Sequence, residues 1–476
     1  MRIVIIGGGP GGYEAALVAA QLGAQVTIIE ESGLGGACVL TDCVPSKTLI
    51  ATSSMMAALD GAYDLGIRFD QAGPAPAGEG AAGEGAAGGG LTQARADAPR
   101  IYSRIRGLAE AQSADVAGRL AAEGVDVIAG KARLSCPGVV TVGDREIRAD
   151  TVLIATGARP RILDEAIPDG ERLLTSRQIY DLDELPAELI VVGSGVTGAE
   201  FASAFQALGS QVTLISSRAH VLPNEDADAA MVVEDVSRRR GMNVLSRSRA
   251  TSARRTKTGV EVTLADGSTA YGSHCLLTVG MIPLTSDIGL DQAKVDVDKR
   301  GFVTVDRVSR TSAPGIYAAG DCTGIWMLAS VAAMQGRIAM WHALGEAVQP
   351  LRLGHVAATT FTDPEIANVG VSQHDVDNGV VDARVVKLPL ATNARAKMDG
   401  FSDGFVKLFT RRTSGRILGG VIVAPHASEL ILSVSLAVEQ QLSVDDVAHT
   451  FAVYPSLTGS ITEAARRLMQ PADPLT

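Results

Sequence analysis

Cysteine is scarce in this sequence. Five in 476 residues, at positions 38, 43, 136, 275 and 322, are too few and too irregularly spaced for a secreted disulfide framework. Only Cys38 and Cys43 lie close together. Positive charge is also in deficit: 42 Lys and Arg stand against 53 Asp and Glu, a net charge of −11. Such a surface repels phosphate backbones, so nucleic-acid binding is not expected. Long apolar runs are missing as well. The stretch from Leu430 to Val438 is interrupted by Ser433 and Ser435 and falls well short of the ~18 residues that span a bilayer. The opening residues Met1 to Ile6 already read as a buried strand, which leaves no room for a signal or transit peptide. The encoded start is therefore expected to be the mature one, and the compartment the cytoplasm. No metal-ligand set stands out.

What is present is length and alternation. With 46% hydrophobic residues, a chain this long exceeds one core and suggests about three domains. Short Val/Ile/Leu runs alternate with longer helical patterns, the mark of parallel sheets covered on both faces. This α/β pattern occurs once from residue 1 and again from Leu189, whereas the region beyond about residue 350 has strands and helices but no glycine motif. Between 71 and 90 the chain collapses into Gly, Ala, Pro and Glu with almost nothing to bury. It reads as a disordered insertion between helical patterns at 46–60 and 99–122.

Two glycine motifs carry the first functional signal. Gly7-Gly8-Gly9-Pro10-Gly11-Gly12 follows the strand pattern Ile3–Ile6 and opens a helical run, Tyr13 to Leu22. Gly7 suits a tight turn, Gly9 admits backbone close to a pyrophosphate, and Gly12 allows close helix–strand packing. A helix N-terminus then offers donors and positive partial charge to phosphate. Glu30, at the end of the second strand, is placed to meet an adenosine ribose hydroxyl. Gly193-Ser194-Gly195-Val196-Thr197-Gly198 repeats the device, but the ribose position falls on Ser216, followed by Ser217 and Arg218. Without an acid there, a 2′-phosphate is not repelled, and Arg218 can attract one. Use of both NADH and NADPH is expected; the alternative for Arg218 is an ordinary solvated charge.

The third signal is Gly35-Gly36-Ala37-Cys38-Val39-Leu40-Thr41-Asp42-Cys43-Val44-Pro45-Ser46-Lys47, with two thiols near a helix start, where thiol pKa falls. This frame resembles the flavin-dependent pyridine nucleotide–disulfide oxidoreductases, the lipoamide dehydrogenase and glutathione reductase family. Ala155-Thr156-Gly157, Gly315-Ile316-Tyr317-Ala318-Ala319-Gly320-Asp321, Phe361-Thr362-Asp363-Pro364-Glu365 and Asn393-Ala394-Arg395-Ala396 resemble further landmarks of it. The resemblance implies two Rossmann-like domains and a C-terminal α+β dimerisation domain. Residues 1–157 and 281–347 would bind FAD, 158–280 NAD(P), and 348–476 would form a homodimer. Gly7, Gly9, Gly12, Glu30, Gly36, Lys47, Thr156, Gly157 and Asp321 would contact FAD. Gly193, Gly195, Gly198, Ser216, Arg218 and Gly280 would contact NAD(P). Cys43 would stack on the flavin, Cys38 would be the outer thiol, and Lys47 would pair with Glu200 near flavin N5, favouring the reduced anion.

One departure redirects the function. Where disulfide reductases of the family carry a His-Pro-Thr-X-Ser-Glu stretch, this sequence has Tyr454-Pro455-Ser456-Leu457-Thr458-Gly459. The histidine and glutamate that serve thiol exchange are both replaced. A tyrosine titrating near pH 10 is a poor base at neutral pH, and a positioned base contributes roughly 10²–10⁴ in rate. His426 and His449 sit in other contexts. The sequence most resembles the NAD(P)H:quinone reductase branch, although it keeps Cys38, which that branch often loses. The alternatives are a disulfide reductase using Cys38 and Cys43, a soluble transhydrogenase, and a flavin-binding scaffold whose catalysis has decayed.

Overall fold

A computed structural model describes residues 1–62, 65–67 and 94–469; the composition-biased segment 71–90 lies outside them. The chain starts with β1 (Arg2–Ile6), α1 (Pro10–Gln21) and β2 (Gln25–Glu30), continues through α2 (Gly36–Leu40), α3 (Cys43–Gly61) and α4 (Ala98–Ala122), and returns in β3 (Asp126–Ala129) and β4 (Thr151–Ile154). These strands and Ile316–Ala318 form a parallel sheet in the order Ile316–Ala318, β4, β1, β2, β3. The four residues after Arg2 in β1 are all buried. That explains their unbroken apolar run, since a parallel strand covered on both faces has no polar side.

A second parallel sheet is built the same way around β5 (Glu188–Val192), followed by α5 (Val196–Ala207) and β6 (Gln211–Ile215). Its order is Asn243–Leu245, β6, β5, His274–Leu277, Leu173–Thr175. In each sheet the strand feeding the glycine motif is flanked by the next strand on one side and a much later strand on the other. That reversal opens a crevice at the carboxyl end of the strand, where ligands of open α/β sheets bind. The third unit is an antiparallel sheet of Ala357–Thr360, Glu365–Gly370, Ile417–Ala424, Phe405–Arg411 and Ala383–Pro389. Helices Ala427–Glu439 and Gly459–Met469 pack into its core through Ile431, Val434, Ile461 and Ala465.

The helical patterns expected at 46–60 and 99–122 correspond to α3 and α4. The helix that follows the second glycine motif starts at Val196, directly after its N-cap Gly195.

Candidate active site

The two glycine loops are near copies in backbone. Gly7 and Gly193 have φ of +106° and +109°, a region open to glycine but strained for other residues. Gly9 and Gly195 cap α1 and α5 with φ/ψ of −70°/−175° and −71°/−175°, and neither helix has a side-chain cap. A Cβ on Gly12 or Gly198 would lie 1.9 Å from the carbonyl oxygen of Gly7 or Gly193. At Gly195, by contrast, an added Cβ would meet nothing within 4 Å, and at Gly9 only the Gly35 oxygen at 4.0 Å. The outer glycines are thus required by protein packing. The middle ones keep space clear for something else, beside uncapped helix N–H groups suited to a pyrophosphate.

The loops differ in what closes them. In the first, the Gly8 N–H donates to Glu30 Oε2 and the Ser32 N–H to Glu30 Oε1, both at 2.6 Å. In the second, the Ser194 hydroxyl donates to Ser216 Oγ at 2.7 Å, and the Arg218 N–H reaches the same oxygen at 3.2 Å. Ser216 is fully buried, and its hydroxyl organises the turn. Ser217 and Arg218 are exposed there. Gly280 is exposed with φ of +104° and open space around it, and its carbonyl accepts from the Arg161 N–H.

Between the loops lies the thiol segment. Gly36, at φ +58°, packs its Cα against the first loop, where a Cβ would come within 2.8 Å of Gly9 Cα. Cys38 on α2 and Cys43 at the start of α3 are free thiols close enough to act on each other's titration. Donation to Cys43, together with burial, pushes the Cys38 thiol up. The same bond holds the Cys43 thiol below its usual value, against burial and the Asp42 carboxylate. One turn along α3, Lys47 Nζ lies 2.8 Å from Glu200 Oε2 on α5. Burial disfavours the lysine charge, but Glu200 outweighs it and holds the pKa above the ordinary lysine value. The second Glu200 oxygen accepts from the Phe361 N–H at 2.9 Å, and Lys47 sits 4.9 Å from the centre of the Phe361 ring. Glu200 is 3% exposed and ties all three units to one point.

Asp321 completes this wall. Burial, aided by the Asp42 charge, pushes its carboxyl up to about 6. Sequence reasoning missed several participants. Arg177 interacts with both Asp42 and Asp321, and burial lowers its pKa. It donates to the Ala158 carbonyl at 2.6 Å. Gln335, buried on helix Ala329–Ala343, accepts from the Gly320 N–H at 2.8 Å and fixes the turn before Asp321. The Thr156 hydroxyl and Arg177 Nε are buried without a partner among the described residues. One of these orphaned polar atoms is on the segment packed against Gly7, and the other is on the side chain that interacts with Asp42 and Asp321; both fit a bound dinucleotide that supplies hydrogen-bonding groups of its own. Gly157 follows Thr156 at φ +72° with open space beside it. Tyr454 does not join the cluster within one chain; it stands 83% exposed.

Two dinucleotide loops converging on a thiol pair and a buried Lys–Glu pair define an oxidoreductase that handles two nucleotides. Residues 1–336 match the pyridine nucleotide-disulphide oxidoreductase family and residues 356–465 its dimerisation domain. The chain belongs to that family. It is 54% identical to an NAD(P)H dehydrogenase (quinone) of Mycobacterium tuberculosis, over 98% of this chain and 94% of that one. It is 32% identical to a dihydrolipoyl dehydrogenase of Chlamydia pneumoniae, over 97% and 95%. The crystal structure of LpdA from M. tuberculosis superposes with a TM-score of 0.90 at 54% identity, covering 99% of this chain and all of that one.

Proposed function

We propose that the protein is an FAD-dependent NAD(P)H oxidoreductase that takes hydride from NAD(P)H and passes electrons to a quinone-type acceptor. The observation that carries this reading is a contrast within the site: the Cys43, Lys47 and Glu200 cluster is intact, while the C-terminal segment offers Tyr454 and Gly459 in place of an acid–base pair. The name of the M. tuberculosis relative supports the same acceptor.

FAD, when bound, supplies a ring that accepts hydride and returns electrons to an acceptor. The residues around it do the rest. Gly7, Gly9, Gly12 and Gly36 shape the pyrophosphate loop, Glu30 stands at its adenosine end, and Thr156, Gly157 and Asp321 line the inner cavity. Lys47 holds a positive charge in place, and Glu200 keeps that charge oriented at 2.8 Å. Gly193, Gly195 and Gly198 form the nicotinamide nucleotide loop, with Arg218 outside it as the group available to a 2′-phosphate and Gly280 at its open edge.

A homodimer accompanies this reading. Leu432 and Leu436, one turn apart on an outer helix face, and Phe451, Val453 and Tyr454 are each more than half exposed, inside the region that matches the dimerisation domain. A second copy would cover apolar surface of this kind. Among the described residues no helix is long and apolar enough to cross a membrane, in keeping with a cytoplasmic enzyme that draws on NAD(P)H. A second reading, disulfide reduction, is favoured by one observation: Cys38 and Cys43 are neighbouring free thiols that act on each other's titration.

Anaerobic addition of NADH or NADPH should bleach the flavin bands of the purified protein. Quinone should then restore them, and a lipoamide disulfide should do so far more slowly. Flavin inert to both nucleotides removes the enzyme reading, and lipoamide reoxidation as fast as quinone reoxidation removes the acceptor assignment.

A further inference from the structure

Asp42 sits at the N-cap of α3, directly before Cys43. Aspartate at such a position ordinarily caps the helix by accepting from its first N–H groups. Here it does not: its φ/ψ is −133°/−95°, and no side-chain capping bond forms. No hydrogen bond or ion pair is recorded for that carboxylate among the described residues. It is partly buried and faces the thiol pair, Lys47, Arg177 and Asp321. A carboxylate held beside a sulfur without a hydrogen-bond partner acts on it through charge.

We infer that Asp42 is a positioning residue that acts through Cys43: its negative charge opposes the Cys43 thiolate that the neighbouring groups favour, and so restrains the Cys38/Cys43 pair from drawing electrons. Several groups face Cys43 from the elements around it. Lys47 and the start of α3 favour the thiolate, as does donation from Cys38 on α2, while Asp42 and Glu200 on α5 oppose it. Tyr180 faces Asp42 and Cys43, and Arg177 and Asp321 complete the surroundings of Asp42. Arg177 offsets part of the Asp42 charge. Its Nε stays unpartnered, so no bidentate pair quenches the carboxylate.

The redox consequence follows from proton balance. Reducing a Cys38–Cys43 disulfide breaks one S–S bond and takes two electrons, supplied from NAD(P)H, with two protons. If Cys43 remains a thiolate, one proton suffices. The Asp42 charge works against that thiolate, so it narrows the one-proton route that Cys38 and Lys47 favour and leaves the disulfide harder to reduce than it would be without Asp42. The electrons then pass to the external quinone-type acceptor, a consequence that rests on the function proposed above.

The test uses flavin-loaded protein carrying Cys38→Ser, so that Cys43 has no thiol partner, with and without Asp42→Asn or Asp42→Glu. Iodoacetamide labelling of the Cys43 peptide is followed by mass spectrometry as pH is raised. Asp42→Asn should move the half-maximal pH down by about one unit, which makes labelling about tenfold faster below it; Asp42→Glu should keep the parent profile. Should Asp42→Asn fail to hold flavin, Asp42→Ser decides in the same assay. Overlapping profiles, or a shift as large with Glu as with Asn, overturn the assignment. Quinone turnover of the protein with its native cysteines separates this from the proposed function. A shifted profile with no quinone turnover keeps the Asp42 role and removes the acceptor, and an unshifted profile with normal turnover does the reverse.

Discussion

Gly8 gives its N–H to a carboxylate on the end of β2, whereas Ser194, at the same place in the second loop, gives its hydroxyl to Ser216 on the end of β6. Around those contacts the two loops share their φ values, their N-cap geometry and the same forbidden Cβ positions. Backbone shape is therefore fixed by what any pyrophosphate requires, while the closing side chains are free to differ. In the first loop an acid braces the turn through both of its oxygens. In the second, a buried serine pair takes over the bracing. In the proposed reading, discrimination between nucleotides is then separated from loop stability in the second site and joined to it in the first.

The strongest way to break the comparison is to add one carbon at equivalent positions. Gly12→Ala and Gly198→Ala each place a Cβ 1.9 Å from a carbonyl oxygen, an overlap that costs about 3 kcal/mol or distorts the loop. If the loops serve different ligands, the outcomes diverge. Gly12→Ala should purify with little flavin, read as the ratio of flavin to protein absorbance. Gly198→Ala should keep its flavin but be reduced by NADPH about 100-fold more slowly, the size of effect expected when a reactant is misplaced by about 1 Å. Equal flavin loss in both would show that the assignment of one loop to each nucleotide is wrong.

A second experiment sharpens the comparison by converting one loop into the other. Ser216→Glu alone would bury a charge against the Ser194 hydroxyl, so it is paired with Ser194→Gly, which restores the N–H-to-carboxylate arrangement of Gly8 and Glu30. The double variant should disfavour NADPH relative to NADH by about tenfold in kcat/KM, because the new carboxylate repels a 2′-phosphate. An unchanged ratio would mean that this strand end does not meet the ribose.

Asp321 gives a smaller effect on the flavin side. Its carboxyl titrates at about 6, above the unfolded value near 3.9. Because the charged form is disfavoured in the fold, stability is lost as pH rises from about 4 through 6, and none is lost below that window. Flavin-free Asp321→Asn should therefore be more stable than its parent at pH 7 by about 1 kcal/mol, a figure reduced for the partly open cavity. Thermal melts at pH 7 and near pH 4 check this. The gain should vanish at the lower pH, and a gain equal at both would remove titration as its cause.

What the sequence made legible was local. The glycine spacing, the strand before each motif and the Cys-X4-Cys frame are contiguous, and each encodes backbone demands that do not depend on distant residues. The fold class and the family followed from them. Lys47 and Glu200, far apart in sequence, were paired only through resemblance. What stayed hidden arrives from elsewhere in the chain. Phe361 brings an N–H from the third unit, Gln335 reaches the Gly320 turn from a late helix, and Arg177 comes from just beyond the edge strand Leu173–Thr175 of the second sheet. The bond from Ser194 to the buried Ser216 belongs with them, because it joins two strand ends across the turn and is not encoded in the spacing of the motif. Asp42 was inside the quoted motif, yet only the missing cap bond singles it out.

Arg218 is the smallest test of the contrast between the loops. It is exposed, its backbone N–H already serves Ser216, and it stands two residues beyond the serine that closes the second loop, where the first loop has Ser32. An exposed charge near a phosphate contributes about 0.2–1 kcal/mol. Arg218→Ala should therefore raise KM for NADPH about threefold, leave kcat unchanged and leave KM for NADH where it was. Because the attraction is screened, the NADPH effect should shrink as salt is raised. If both nucleotides are affected equally, Arg218 supports the loop without reading the 2′-position, and the difference between the two sites reduces to Glu30 alone.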